Sequence, residues 1–532
     1  MLPHALILYA CVFLAAVPLD AATHSAETSA TAPPSSAPPA ATARRPAASG
    51  SNVDSYEDAL RDALARRPGG LTANDVAGQA VLSSPAMAVK RAELVATAAN
   101  LDRTMARYVP NLTTQFSYTR NSEVDINLGG DGAMVGALNE GPVGIGPCPD
   151  NSGANCVLDS QGVPLIAAGF APIEVPLNNY SLQASLSVPF SEYALRLMPA
   201  KHGSASEMRA TQMRHDAEAT NVELNARLAY YDWLRALAQL SVSERTVAST
   251  GARLADGRAG LSAGILTQTD VLRLEELLAS AEVARIQGQS FERLARRNLG
   301  IIMDREEIAF TVGEDLFAPV PTLDSWGPVG ALVREGHHAR LEIRVLTESA
   351  DALHWGIKAA RADLYPKLSG FADYTYANPN QRFFPATEEW NQSWYAGLSL
   401  SWQLGQFLDA KLFTKKIHAD ERVLRSQVIA MRRAITLEVH MAWEELSRAH
   451  TALSLNQRTA RLTQAVWNQQ VALYRAGEST TTDVVGAELA RVNATLREVN
   501  DRIDLRVAQA KLERAAGRLR PMAPEASTGP AR

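Results

Sequence analysis

Ala263-Gly264-Ile265-Leu266-Thr267-Gln268-Thr269-Asp270-Val271 and Ala476-Gly477-Glu478-Ser479-Thr480-Thr481-Thr482-Asp483-Val484 are two versions of one nine-residue passage. They stand 483 − 270 = 213 residues apart. At the same offset Arg235-Ala236 falls on Arg448-Ala449, and Tyr230 falls on Trp443. Further upstream, Tyr108-Val109-Pro110-Asn111-Leu112 matches Leu364-Tyr365-Pro366-Lys367-Leu368, now at an offset of 366 − 110 = 256. The first half therefore carries 256 − 213 = 43 extra residues between these landmarks, in the stretch that holds Cys148 and Cys156. A repeat of this kind has to be read as two copies of one unit before any element is assigned.

Each copy contains two segments that alternate with a period of two. In the first, Leu112, Thr114, Phe116 and Tyr118 face one way, and Thr113, Gln115, Ser117 and Thr119 the other. Residues 180–188 alternate without a break; 368–376 are noisier, and 394–402 close the set. Period two means a strand with two unlike faces. The spacing predicts strands at about 111–120, 179–190, 367–377 and 393–404. About ten residues suit a tilted membrane strand, and Trp and Tyr near the ends suit interfacial girdles. Two soluble hairpins with one wet face fit the same pattern.

The rest of the body has helical periodicity. Ile435, Val439, Ala442, Leu446, Ala449 and Leu453 step by 4, 3, 4, 3, 4. Subtracting 213 gives Val222, Ala226, Ala229, Trp233, Ala236 and Leu240, all apolar. After the Asp483-Val484 landmark the chain returns with Val485, Leu489, Val492, Leu496, Val499 and Ile503. This is the a/d seam of a left-handed coiled coil. Two long helical hairpins follow, at about 200–300 and 406–517. Gly264 and Gly477 stand at their turns, and Thr267 or Thr269 is placed to cap the first return helix.

The chain has 532 residues, 52 Lys+Arg against 57 Asp+Glu, and a net charge of −5, which argues against a nucleic-acid partner. The one long uncharged apolar run, Ala5 to Leu19, is too short for a confident membrane-spanning helix and excludes a helical inner-membrane transporter as the main body. It reads as the apolar region of an export signal over 1–22, although no Lys or Arg precedes it. Leu8-Tyr9-Ala10-Cys11 resembles a lipidation site placed unusually early. Residues 23–52 are rich in Ala, Pro, Ser and Thr and read as a disordered tether, as does the tail 520–532. Export makes a disulfide between Cys148 and Cys156 the expected fate of that pair, closing a small loop within 121–178; no nearby His or CxxC spacing supports a metal. No HExxH, GxSxG, P-loop or dinucleotide fingerprint appears, so neither an enzyme nor a cofactor is expected. His337, His338 and His440 lack ligand spacing, and Met198, Met208 and Met213 do not build one soft-metal site within a chain.

Four membrane strands cannot close a barrel, and an open sheet edge is not tolerated in lipid. Either the strands are soluble or several chains combine them. An oligomeric tube, with a strand barrel at one end and a coiled-coil tunnel at the other, satisfies both strands and helices.

Helix–strand–strand–helical hairpin, twice over, resembles the TolC-like outer-membrane efflux channels across about Val53 to Leu519. The resemblance rests on the paired strand entries and on Ala263-Gly264-x5-Asp270-Val271 with Tyr474-Arg475-Ala476-Gly477-x5-Asp483-Val484. It implies a mainly α protein with β, its repeats at 53–310 and 311–519. It implies a homotrimer whose twelve strands form a barrel in outer-membrane lipid, continued by a helical tunnel through the periplasm of a Gram-negative-type cell. The partners it implies are a periplasmic adaptor and an inner-membrane pump, which chooses the cargo. By position, Ala263, Gly264, Ile265, Ala476, Gly477 and Glu478 resemble the hairpin tips that meet the adaptor. Asp270 and Tyr474 resemble a pair that holds the entrance shut, and Asp483 resembles a member of an acidic ring. Ser479 and Gly486 depart from relatives that place an Arg and a second acid there. A solvated first-turn carboxylate is the plain alternative for Asp270 and Asp483. A pore-less periplasmic adaptor is the alternative for the whole chain.

Overall fold

The computed structural model describes residues 56–123, 134–136, 139–149, 152–168, 176–306, 309–319, 321–384, 387–476 and 478–519. The expected export signal, the whole tether, the tail, parts of the 121–178 loop and Gly477 lie outside the described residues. In chain order the elements begin with α1 (Tyr56–Ala63), α2 (Ala73–Ser83), α3 (Pro85–Ala106) and β1 (Asn111–Arg120). Four short strands follow, β2 (Met134–Gly136), β3 (Gly144–Pro147), β4 (Asn155–Leu158) and β5 (Ile166–Ala168), then β6 (Asn178–Val188). A turn of helix, α4 (Phe190–Glu192), leads through a π-helical step into α5 (Met198–Ser262), and α6 (Gln268–Ile302) returns. The second unit has α7 (Val329–Ala339), α8 (Leu341–Arg361), β7 (Lys367–Asn378), β8 (Asn391–Ser401), α9 (Phe407–Ala476) and α10 (Thr481–Ala515).

The repeat read from the sequence is kept almost residue for residue. Adding 256 to the ends of α2 gives 329 and 339, the ends of α7, and adding it to Pro85 gives 341, the start of α8. Adding 213 carries β6 onto 391–401 and α6 onto 481–515, the bounds of β8 and α10. Helix α1 has no counterpart: 256 residues on, at 312–319, no helix forms.

β1, β6, β7 and β8 form one antiparallel sheet in that order. Their register puts Leu112, Phe116, Tyr118, Leu182, Leu186, Tyr374, Tyr376, Trp394, Leu398 and Leu400 on one face. Gln115, Ser117, Gln183, Ser185, Asp373, Thr375 and Ser393 share the other. The apolar face is bare: Trp394 and Leu398 are each 72% exposed. Tyr118 packs on Tyr180, and Tyr180 and Tyr376 on Trp390, with ring centroids 4.9 to 6.1 Å apart, an aromatic belt at the loop end of the sheet. At the helix end Phe190, Tyr365, Trp402 and Phe407 are exposed. From Trp390 to Trp402 the chain runs about 40 Å, or about 28 Å of height at a barrel strand's tilt of about 45°. That matches an apolar band about 25 Å tall between two aromatic girdles. Among the described residues no helix is long and apolar enough to cross a membrane.

Helices α5 and α9, of 65 and 70 residues, reach about 100 Å each. Ile435, Val439, Ala442, Leu446, Ala449 and Leu453 are all buried, as the heptad requires. In α5 the buried stripe drifts to Ala238 and Val242, leaving Ala236 and Leu240 half-buried. Leu489, expected in the seam, is 40% exposed. The largest core lies midway, where Tyr230, Trp233 and Leu234 of α5 meet α1, α2 and Val499 and Ile503 of α10. There the segment joining the repeats crosses the α1–α2 loop, with Leu71 N–H donating to Thr311 O and Gly313 N–H to Leu71 O. A Cβ on Gly313 would meet the Gly70 carbonyl at 2.1 Å, so only glycine allows the crossing.

Candidate functional site: the hairpin tips

The first tip is built by backbone geometry. Gly264 has φ 71°, the left-handed region that disfavours a side chain. Its N–H donates to Leu261 O at 3.0 Å, and the Ile265 N–H donates to Gly260 O at 2.9 Å, a Schellman turn that closes α5. Thr267 then caps α6. The Asp270 N–H donates to Thr267 Oγ1, while Asp270 Oδ2 accepts from the Thr267 amide at 3.0 Å and hydroxyl at 2.7 Å. This is a reciprocal capping box with Asp in place of the usual Glu. The Thr267 hydroxyl first, then its amide, hold the Asp270 carboxyl below the usual range, with help from Arg273.

The second tip repeats the chemistry. The Glu478 N–H donates to Leu473 O at 2.9 Å, the long bond of the same turn. Asp483 Oδ2 accepts from the Thr480 amide at 3.1 Å and hydroxyl at 2.6 Å. Ser479 Oγ reaches both Asp483 Oδ2, at 3.5 Å, and Gln470 Oε1, at 3.0 Å. The Thr480 hydroxyl foremost, then its amide, depress the Asp483 carboxyl.

The two tips lie against each other. Leu254, Val271 and Leu274 form a small core, with Val485 of the second hairpin packed on it. Arg273 Nη1 donates to Thr482 Oγ1 at 3.3 Å, crossing from one hairpin to the other. Asp270, Arg273, Leu274, Leu277, Thr482 and Val485 line a cleft of about 80 Å³ between the tips. Arg273 was not singled out from the sequence. The available hint was its place three residues after Asp270, on the same helical face.

Asp270 is engaged locally, by Thr267. Tyr474 is half-buried on α9 and near Arg253 of α5, which burial foremost pushes below its usual pKa, with Tyr56 and then Tyr474 pulling it back. Arg253 is ion-paired with Glu488 of α10. Glu488 is only 6% exposed and also accepts from the Tyr56 hydroxyl at 3.1 Å and the Ser249 hydroxyl at 2.8 Å. This node, outside any motif, joins α1 to both hairpins. Ala263, Gly264, Ala476 and Glu478 are exposed at the tips, and Ile265 is 37% exposed. Far from the tips, Cys148 and Cys156 are bonded, with Cα atoms 5.1 Å apart, across the β3–β4 hairpin.

Residues 338–518 match the family model described as outer membrane efflux protein. No curated protein matches the chain. Among solved structures, the chain is similar to the outer-membrane channel OprN, with 16% identity over 86% of this chain and 95% of that one, TM-score 0.63. It is similar to the CmeC outer membrane channel of Campylobacter jejuni, with 12% identity over 88% and 89%, TM-score 0.66. The open state of the MtrE outer membrane channel of Neisseria gonorrhoeae shares 14% identity over 89% and 91%, TM-score 0.59. The family match thus lies within the second repeat, and over most of its length the chain has the fold of these solved outer-membrane channels.

Proposed function

We propose that the protein is the outer-membrane channel of a tripartite efflux or secretion system, a passive conduit from periplasm to exterior. The observation that carries this is the sheet. One face is apolar and bare between two aromatic belts, the other is polar, and both edge strands, β1 and β8, have a free side. In lipid an unpaired edge leaves a row of backbone groups without partners, so the sheet must close. β1 and β8 run in opposite directions, so a ring of copies continues the antiparallel alternation without a break. Three copies give twelve strands, an even number within the known range of such barrels. The helical hairpins then form a tunnel below the barrel, with the paired tips at its far end.

At those tips Asp270, Arg273, Tyr474 and Asp483 set the entrance. The exposed Ala263, Gly264, Ile265, Ala476 and Glu478, with Gly477 between them in sequence, are the surface for a periplasmic adaptor, which brings an inner-membrane pump. The channel performs no chemistry of its own. Protein extracted in detergent and reconstituted into planar bilayers conducts ions under this reading. Protein that leaves the outer membrane without detergent and gives no conductance would favour a pore-less adaptor instead.

A further inference from the structure

We infer that Asp373 is an ion-selectivity determinant inside the barrel, an assignment that rests on the channel reading above. Apart from Arg120 and Lys367 at strand ends, it is the one Asp, Glu, Lys, Arg or His in β1, β6, β7 and β8. An ionisable side chain at membrane depth is costly unless it faces protein or a water-filled lumen, so it is a functional candidate by default. The register settles the face. Asp373 pairs with Ser185 on β6 and Tyr395 on β8, whereas its neighbour Tyr374 sits on the bare apolar face. The carboxylate therefore lies on the polar face, which a closed barrel turns toward its lumen.

Its neighbours on β6 and β8 fix its place. The Ser185 hydroxyl donates to Asp373 Oδ1. On the other side Tyr395 is braced by Phe371, with ring centroids 6.0 Å apart, and by the Arg382 guanidinium 4.8 Å above its ring. Arg382 donates to the Trp394 carbonyl, which ties that cation to β8. No Lys or Arg within the strands neutralises the carboxylate. In a ring of copies each chain contributes one Asp373 at one height, and the charges add around the lumen. The sequence joining β1 to β6 has the same sign: residues 121–178 hold seven Asp or Glu and no Lys, Arg or His. A wall of one sign raises the local concentration of the opposite ion, here cations.

The test is the reversal potential of reconstituted channels under a KCl gradient. With dilute salt near 0.01 M, where the Debye length is about 30 Å, Asp373→Asn lowers the cation-to-anion permeability ratio about twofold or more. The difference fades toward about 1 M, where screening shortens to about 3 Å. Asp373→Glu keeps the ratio. Ser185→Ala, which removes the hydrogen bond and leaves the charge, keeps it too. A conducting Asp373→Asn channel with the wild-type ratio at low salt overturns the assignment alone, as does an equal loss in Ser185→Ala, which would mark a packing role. A wild type that conducts no ions overturns the channel reading and the assignment with it.

Discussion

Asp270 and Asp483 each commit one oxygen, Oδ2, to the amide and hydroxyl of the cap three residues earlier. The carboxylate that closes the tip is thus also the negative charge left there. Asp270→Ala frees the start of α6 and removes a partner of Arg273, which holds Thr482 across the seam. Single-channel conductance is expected to rise. Asp483→Ala is expected to reduce cation preference more than it changes conductance. If both variants keep wild-type values, the two residues are helix caps and the gate lies elsewhere. Acid gives an independent check. Both carboxyls are held below their ordinary value of 3.8, so the stabilisation they give is fully present above about that pH. It is lost as pH falls through the lower folded-state values. Conductance should therefore climb only below about pH 4, and Thr267→Ala, which weakens the hydrogen bonds that depress Asp270, should move that rise to higher pH.

Among the elements, α1 breaks the repeat, and it sits where the two hairpins meet. Its Tyr56 hydroxyl reaches Glu488, and Arg491 lies over both the Tyr56 ring, at 4.8 Å, and the Trp467 ring, at 3.9 Å. One side chain thereby touches the node shared by α5, α9 and α10. Tyr56→Phe keeps the ring and deletes a buried bond to a carboxylate, at a cost of about 1.5–3 kcal/mol. A lowered temperature of heat dissociation checks it; an unchanged one would show that the ring alone does the holding. The β3–β4 hairpin is a separate case. Its register pairs Gly146 with Cys156 and leaves Ile145 and Val157 exposed side by side. So small and bare a ladder buries little, and the Cys148–Cys156 bridge holds its ends. Mass spectrometry of unreduced protein should find the bridged peptide; a free thiol pair in exported protein would remove the staple.

For the whole molecule the open sheet edges carry the proposed assembly. A single chain presents β1 and β8 each with one edge unpaired, and the long helices add bare apolar stripes. Phe291, Leu294 and Ile301 on α6, and Leu437, Met441 and Leu455 on α9, are all exposed in the single chain. Under the proposed channel reading, neighbouring copies of the same chain would cover both features. In mild detergent the protein should run as a heat-sensitive trimer. A monomer that retains its full strand and helix circular dichroism would show that the edges are satisfied in some other way.

The sequence by itself determined the order of the long strands and the hairpin helices, because each rests on a local rule. Alternation with period two placed the four long strands, the 4-3 heptad placed the long helices, and Gly with Thr and Asp just after it placed both turns, whereas the structure chose Thr267 over Thr269 as the cap. The 213 and 256 offsets set the repeat, since a repeated sequence folds into repeated structure. Which side chains meet across elements was not legible. Nothing near Glu488 in the sequence names Tyr56, 432 residues away, and nothing near Arg273 names Thr482. Leu489 fits the heptad yet stays exposed, because supercoil drift and the partner's surface decide which positions of a stripe are covered. The same holds for Asp373. Its strand was the noisiest of the four, and only pairing with β6 and β8 told which face carries the charge. Local periodicity is a property of consecutive residues; a cross-strand or cross-hairpin contact depends on register and packing, which exist only once the chain has folded.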